Sequence, residues 1–358
     1  MSPRPILTTL LLTILLASCA LAGGLGIPTS RAALGFGNLE QFSGLRFNWR
    51  DSGVQYVNGV NVTIFAPGKR TNMDYNGLGL HVVGASGERF NGVYASIVGM
   101  EIEDQGKGIF LNLIGMGGDG DVTGLAVNGI GAGLGDITGI AISGIGMGAK
   151  NVTGFTFATI GMGVHDITGI TVAGIGMGAN DVTGITVAGI GLGASDITGI
   201  TVAGLGVGAD NITGLAVAGL GMGAENVQGV MLAGLGAGAE NLDGVAAALL
   251  GFGAEDVNGL VIAGLGLGAE TMHGVAAGGA IHTNKSFHGG ALAIGYQRTE
   301  QLYGVSTGVY NRVDEAHGLM IGIYNHAESL HGIQIGLLNR VDSGPGLARW
   351  LPLVNARF

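Results

Sequence analysis

Glycine recurs on a fixed grid, with Gly124, Gly139, Gly154, Gly169, Gly184, Gly199 and so on to Gly304 standing 15 residues apart. A period below 20 residues is too short for a pair of helices. One such unit is also too small to bury its own apolar face, so successive units must stack on one another. Composition agrees: 74 of the 358 residues are glycine, about three times the roughly 7% of ordinary chains. With a mean hydropathy of +0.49 and 11% charged residues, the chain is too apolar for disorder and too broken by glycine for a bundle of spanning helices. A net charge of −10 supplies no basic footprint, so a nucleic-acid partner is not expected.

Residues Gly169 to Thr183 show one repeat as three segments, G-I-T-V-A, G-I-G-M-G and A-N-D-V-T. Within each segment apolar residues alternate with the strand period of two, and Gly, Asn or Asp occupies the joints, where corner conformations are needed. Three short faces per coil follow. Two columns read as core ladders. One lies two residues before each grid glycine (Val122, Ile137, Val152, Ile167, Val182, Ile197), and the other lies one residue after it (Leu125, Ile140, Phe155, Ile170, Ile185, Ile200). Met147, Met162, Met177 and Met222 share a third column with Leu192, Val207 and Leu267, which marks them as core filling.

The expected fold is all-β, a β-solenoid of stacked 15-residue coils, parallel β-helix-like, with irregular N- and C-terminal caps. The alternative is an outer-membrane β-barrel, in which each unit is one tilted strand plus a turn and Phe358 ends the last strand. The discriminating residue is Val182 with its equivalents: a barrel must place it in a turn, a solenoid in a buried ladder. Boundaries follow the period: a leader over 1–22, a linker over 23–44, irregular repeats over 45–123, the regular array over 124–304, 14-residue repeats over 305–343 and a terminal cap over 344–358.

The leader has Arg4 ahead of an apolar run from Ile6 to Leu16, then Leu16-Ala17-Ser18-Cys19. That sequence resembles the bacterial lipobox, whose cysteine is acylated, so Cys19 is the candidate lipidation site and an N-terminal lipid anchor the expected membrane contact. Ala20-Leu21-Ala22 also fits an ordinary signal-peptidase site, which would discard Cys19. Cys19 is the only cysteine, so no disulfide framework is available.

Near the C-terminus the repeats change. Gly308-Val309-Tyr310-Asn311, Gly322-Ile323-Tyr324-Asn325 and Gly332-Ile333-Gln334-Ile335-Gly336-Leu337-Leu338-Asn339 precede a closing Leu351-Pro352-Leu353-Val354-Asn355. These resemble the bacterial surface-repeat (lipo)proteins built on G-[LIV]-Q-[IV]-G-L-[LIV]-N units, closely over 304–358 and more loosely over the 15-residue array. The resemblance implies a cell-envelope location, at the outer membrane or cell surface, and no catalytic activity. Secreted or periplasmic protein is the alternative. It carries over no site residues.

Several polar columns are candidate sites. Asp121, Asp136, Asn151, Asp166, Asp181 and Asp196 stand three residues before the grid glycine, suited to bonding nearby backbone N–H groups at a corner. Glu225, Glu240 and Glu255 form an acidic file beside them, close enough in a stack for a divalent cation to relieve their repulsion. His273 and His288 would stack one coil apart as a metal-binding or pH-sensitive edge. Thr123, Thr138 and the threonines that follow make one exposed file, a candidate glycan-facing surface. The recurring G-x-G-x-G strings lack the following helix that a dinucleotide site requires. No Ser/His/Asp set or isolated carboxylate pair breaks the repeat, so neither an enzyme nor a cofactor is expected. The expected protein is a monomeric structural or adhesin-like scaffold with a surface protein or glycan as partner.

Overall fold

A computed structural model describes residues 23–67 and 72–358; Cys19 and the rest of the leader lie outside the described residues. Apart from a 3-10 turn at Gly346–Arg349, the secondary structure among them is β-strand. The chain divides into two compact units, one ending at Ile175 and one beginning at Gly176, and each is a β-solenoid.

In the second unit consecutive coils pair in parallel, with Val182 opposite Ile197, Gly184 opposite Gly199 and Ala188 opposite Ala203, and the same offset of one repeat continues through the following coils. The first unit keeps the same rule where the spacing is uneven: Gly44 pairs with Gly59, Gly59 with Gly77, Gly77 with Gly92, Gly92 with Gly108, and Gly108 with Gly124. Extra residues are taken up between the paired segments. The barrel alternative is thereby corrected, because a meander barrel pairs consecutive strands antiparallel.

Each grid glycine is required twice over. Gly199 and Gly214 have φ of +125° and +122°, where an L side chain is strained. A Cβ on either would also run into the carbonyl oxygen of the grid glycine one coil earlier. The glycines of the G-x-G segments differ: at Gly193, Gly208 and Gly223 a Cβ would meet nothing within 4 Å.

The interior is lined by four columns. Val182, Ile197, Ile212 and Val227 supply one, Met177, Leu192, Val207 and Met222 the second, and Ala188, Ala203 and Ala218 the third, all buried. The fourth lies two residues after the grid glycine and holds Thr186, Thr201, Ala216 and Met231. One expected core ladder is therefore overturned. Ile140, Ile170, Ile185 and Ile200 are 41–45% exposed, because the period-two alternation runs straight through the grid glycine. Positions −2 and +1 are an odd number apart and must face opposite ways. The buried threonines are the counterpart of that error. The hydroxyls of Thr186 and Thr201 have no hydrogen-bond partner, at a cost of about 1–3 kcal/mol each.

Both ends are covered. Gly24–Thr29 and Ala32–Gly37, within the span read as a linker, form an antiparallel hairpin whose second strand lies parallel on Ser43–Phe47 of the first coil. At the other end Trp350–Arg357 folds back antiparallel on Gly332–Arg340, closing an edge that would otherwise present unpaired N–H and C=O groups. Removing residues 344–358 should expose that edge. Concentration-dependent end-to-end association by light scattering is the expected result, and a truncated chain that stays monomeric would deny the segment a capping role.

Candidate functional site

In the regular array each coil presents three outward surfaces. Positions −3 and −1 carry the polar side chains, positions +1 and +3 are aliphatic, and the G-x-G segment at +7 and +9 is bare backbone. An aliphatic corner at +6, preceded in most coils by glycine at +5, joins the last two. The acidic file at Asp210, Glu225, Glu240, Glu255 and Glu270 occupies the opposite corner, between the bare and polar surfaces.

The polar surface is the candidate site. Asn241 Nδ2 donates to Asn226 Oδ1 at 2.9 Å, Asn226 to Asn211 at 2.9 Å, and Asn211 to Asp196 at 2.6 Å. The run ends on a carboxylate, which accepts and has nothing to donate onward. In the first unit Asn151 donates to Asp136 at 2.8 Å, and Asp121 accepts from the Asp136 backbone N–H at 2.8 Å. The expected Asx-to-backbone role is thus realised at Asp121, while the amides bond side chain to side chain along the stack. Beside this ladder run Thr183, Thr198, Thr213, Gln228, Asp243 and Asn258, with Asn258 donating to Asp243 at 3.0 Å. Between the two files lies a groove. One stretch, about 680 Å³, runs from Asn211 to His273, and another, about 310 Å³, from Asp181 to Thr213.

Beyond Asn258 the same file turns aromatic. His273, His288, Tyr303, His317 and His331 follow one another at centroid separations of 4.6, 4.6, 4.8 and 4.9 Å, the first two contacts edge-to-face and the last two stacked. Burial first, and His273 beside it second, hold the His288 imidazole below its usual range. Glu225, Glu240 and Glu255 remain an exposed file, and Glu270 is ion-paired with Lys285. Among the described residues no three His, Cys, Asp or Glu side chains converge to hold a metal ion.

Two buried polar clusters escaped sequence reasoning. In the first coils Asp51 accepts from the Arg46 guanidinium, from Asn48 Nδ2 at 2.6 Å, from Tyr75 Oη at 2.6 Å and from Thr63 Oγ1 at 3.2 Å, all inside the solenoid. Arg46 Nε donates further to Asn61 Oδ1 at 2.9 Å. Burial, then the Asp51 charge, pushes the Tyr75 phenol well up. His81 lies beside this cluster, its ring between Tyr75 and Tyr94 and both nitrogens unpartnered. Burial lowers its pKa to about 4, the Asp51 charge opposing and the Arg46 charge assisting. Between pH 6.5 and 4 the unfolded chain therefore takes up a proton that the native ring refuses. Stability present above pH 6.5 should fall by about 3 kcal/mol by pH 4. Urea midpoints across that window, with His81→Phe as the non-titrating reference, measure it; equal slopes in both proteins would sink the assignment.

The second cluster explains the C-terminal motif. Asn311 Nδ2 donates to Asn325 Oδ1 and Asn325 Nδ2 to Asn339 Oδ1, each at 2.8 Å, and the same amides reach the backbone oxygens of Ile321, Ile335 and Leu351. The asparagine closing each G-x-Y-N or G-L-L-N unit is a fully buried ladder residue that ties successive coils and the terminal strand together. Comparison of the chain with protein-family models, with curated proteins and with solved structures finds no match.

Proposed function

We propose that this chain is a non-enzymatic scaffold of the bacterial cell envelope, adhesin-like, exported by its leader and held at the outer membrane or cell surface by an acyl group on Cys19. The observation that carries the reading is the polar groove of the regular array. It is repeated coil after coil with amide, hydroxyl and carboxylate groups at a one-coil spacing, and no coil departs from the pattern to gather acid, base and nucleophile at one point. A groove of that kind suits an extended partner with its own repeat, a surface polysaccharide or an extended protein segment, held by many weak contacts in series.

Two measurements test this. Mass spectrometry of the mature N-terminus distinguishes an acylated Cys19 from a chain cut after Ala22, and the second result would replace anchoring by secretion. Binding of the intact protein to immobilised bacterial and host polysaccharides, with Thr198→Val, Thr213→Val and Gln228→Leu combined as a groove variant, tests the partner. Binding that the variant retains in full would remove the groove from the proposal.

A further inference from the structure

From Gly184 to Ala269 charge is segregated around the coil. The eleven residues from each grid glycine onward, such as Gly199 to Ala209, Gly214 to Ala224 and Gly229 to Ala239, contain no charged side chain. Their only polar side chains are the buried Thr186 and Thr201. All charge in these coils lies on the polar surface and the acidic corner, and no Lys or Arg occurs there. The aliphatic surface and the bare glycine surface meet at a ridge formed by Ile190, Leu205, Leu220, Leu235, Leu250 and Leu265, each at least 44% exposed. The large aliphatic side chains exposed between Ile185 and Val275 all lie on this ridge or beside it. Together they present on the order of 1,000 Å² of apolar area, beyond the few hundred Å² of an ordinary monomer's largest patch.

We infer that the second unit lies on a lipid surface, with the Ile190–Leu265 ridge immersed in the hydrocarbon and the acidic corner and polar groove facing water. Three observations select lipid over a second copy of the chain. First, the apolar sector is two surfaces meeting at a ridge. A flat partner laid on one leaves the other in water, whereas fluid acyl chains cover both. Second, the ridge changes character toward the C-terminus: Tyr296, Tyr310, Tyr324 and Trp350 stack in sequence at 5.4, 5.1 and 6.2 Å, with the Arg340 guanidinium 5.0 Å from the Trp350 ring. Tyr, Trp and Arg are the side chains that suit the boundary between hydrocarbon and water. In the first unit the corresponding corner carries exposed Trp49 against Phe65 at 5.1 Å, with Arg50 5.5 Å over the Phe65 ring. Third, the ridge N–H groups are already bonded coil to coil, Leu205 N donating to Ile190 O at 2.7 Å and Leu220, Leu235, Leu250 and Leu265 each donating to the ridge carbonyl one coil earlier at 2.8 Å, so leaving water orphans none of these donors. Because the charge near the ridge is anionic and turned away, neutral lipid suffices. The inference goes beyond the envelope reading and holds with or without an acyl group on Cys19.

The test uses the full chain carrying Cys19→Ala, which removes the only native thiol and any anchor, with Leu235→Cys labelled by an environment-sensitive nitrobenzoxadiazole dye. On adding phosphatidylcholine vesicles, the ridge label should shift to the blue and be quenched by lipids brominated along the acyl chain. The same label at Asn226→Cys, on the polar surface, should do neither. Combined Leu205→Glu, Leu220→Glu and Leu250→Glu should lower dye insertion at Leu235→Cys at least tenfold. A ridge label unmoved by vesicles overturns the inference even if the protein floats with them, since a leader or anchor can tether without immersing the ridge. A ridge label already shielded in buffer, with a doubled mass by light scattering, overturns it in favour of a second copy. Either negative result leaves the Cys19 assignment standing, and loss of that assignment leaves this one.

Discussion

Gly214→Ala should destabilise the protein by about 3 kcal/mol or more, while Gly208→Ala, six residues away, should be neutral or stabilise it by about 0.4–1 kcal/mol. The two glycines look alike in the sequence and differ in what surrounds them. Gly214 has φ of +122° and its missing Cβ would collide with the carbonyl oxygen of Gly199, a backbone atom locked in the coil-to-coil ladder. Two neighbouring coils would have to part for the methyl group to fit. Gly208 has ordinary φ and open space around its Cα, so a methyl group there only narrows the unfolded ensemble. Urea midpoints of the two variants decide the matter. Equal losses at both positions would mean that the bare surface is packed against something in the folded chain.

Arg46→Met should cost about 3–5 kcal/mol, since it leaves the Asp51 carboxylate uncompensated in the interior of the first coils. The three neutral donors that remain, Asn48, Thr63 and Tyr75, stabilise the anion without neutralising it. The double variant Arg46→Met, Asp51→Leu should recover most of that loss, because removing both charges also removes their desolvation penalty. A single variant as damaging as the double one would show that packing volume, and not the stranded charge, is what Arg46 contributes. The interior of these first coils is filled by aromatic rings, with Tyr75 on Phe90 at 4.9 Å and Tyr94 on Phe110 at 5.8 Å. Gly79 sits where a Cβ would meet the Tyr94 and His81 rings, so the space of its missing side chain is filled by one ring from its own strand and one from the next coil.

The repeat of 15 pointed to stacked coils, because a period is a property of order along the chain and needs no knowledge of what lies across it, but it was the observed parallel register of consecutive coils that excluded the barrel. Val182 and its column could be placed inside for the same reason: an aliphatic that returns every 15 residues between polar neighbours has one physical explanation. Direction within the coil was less legible. Hydropathy ranks Ile185 above Thr186, yet Thr186 is the buried one, since the strand's parity is inherited from Val182 through a glycine that bends the chain without changing sides. The polar groove was half visible, its threonine file plain and its asparagine file read as corner residues. The Arg46–Asp51 cluster was not visible at all: Arg46 and Asn61 stand one repeat apart, but Asp51, on which the cluster converges, lies just past the paired strand and has no place on the grid.

Order along the chain thus determined that this protein is a stack, and which residues recur on common columns. Only the tertiary structure decided which columns face inward. That choice depends on the closure of each coil on itself, a three-dimensional condition that turns one set of aliphatic ladders into core and leaves an equally apolar set on the surface.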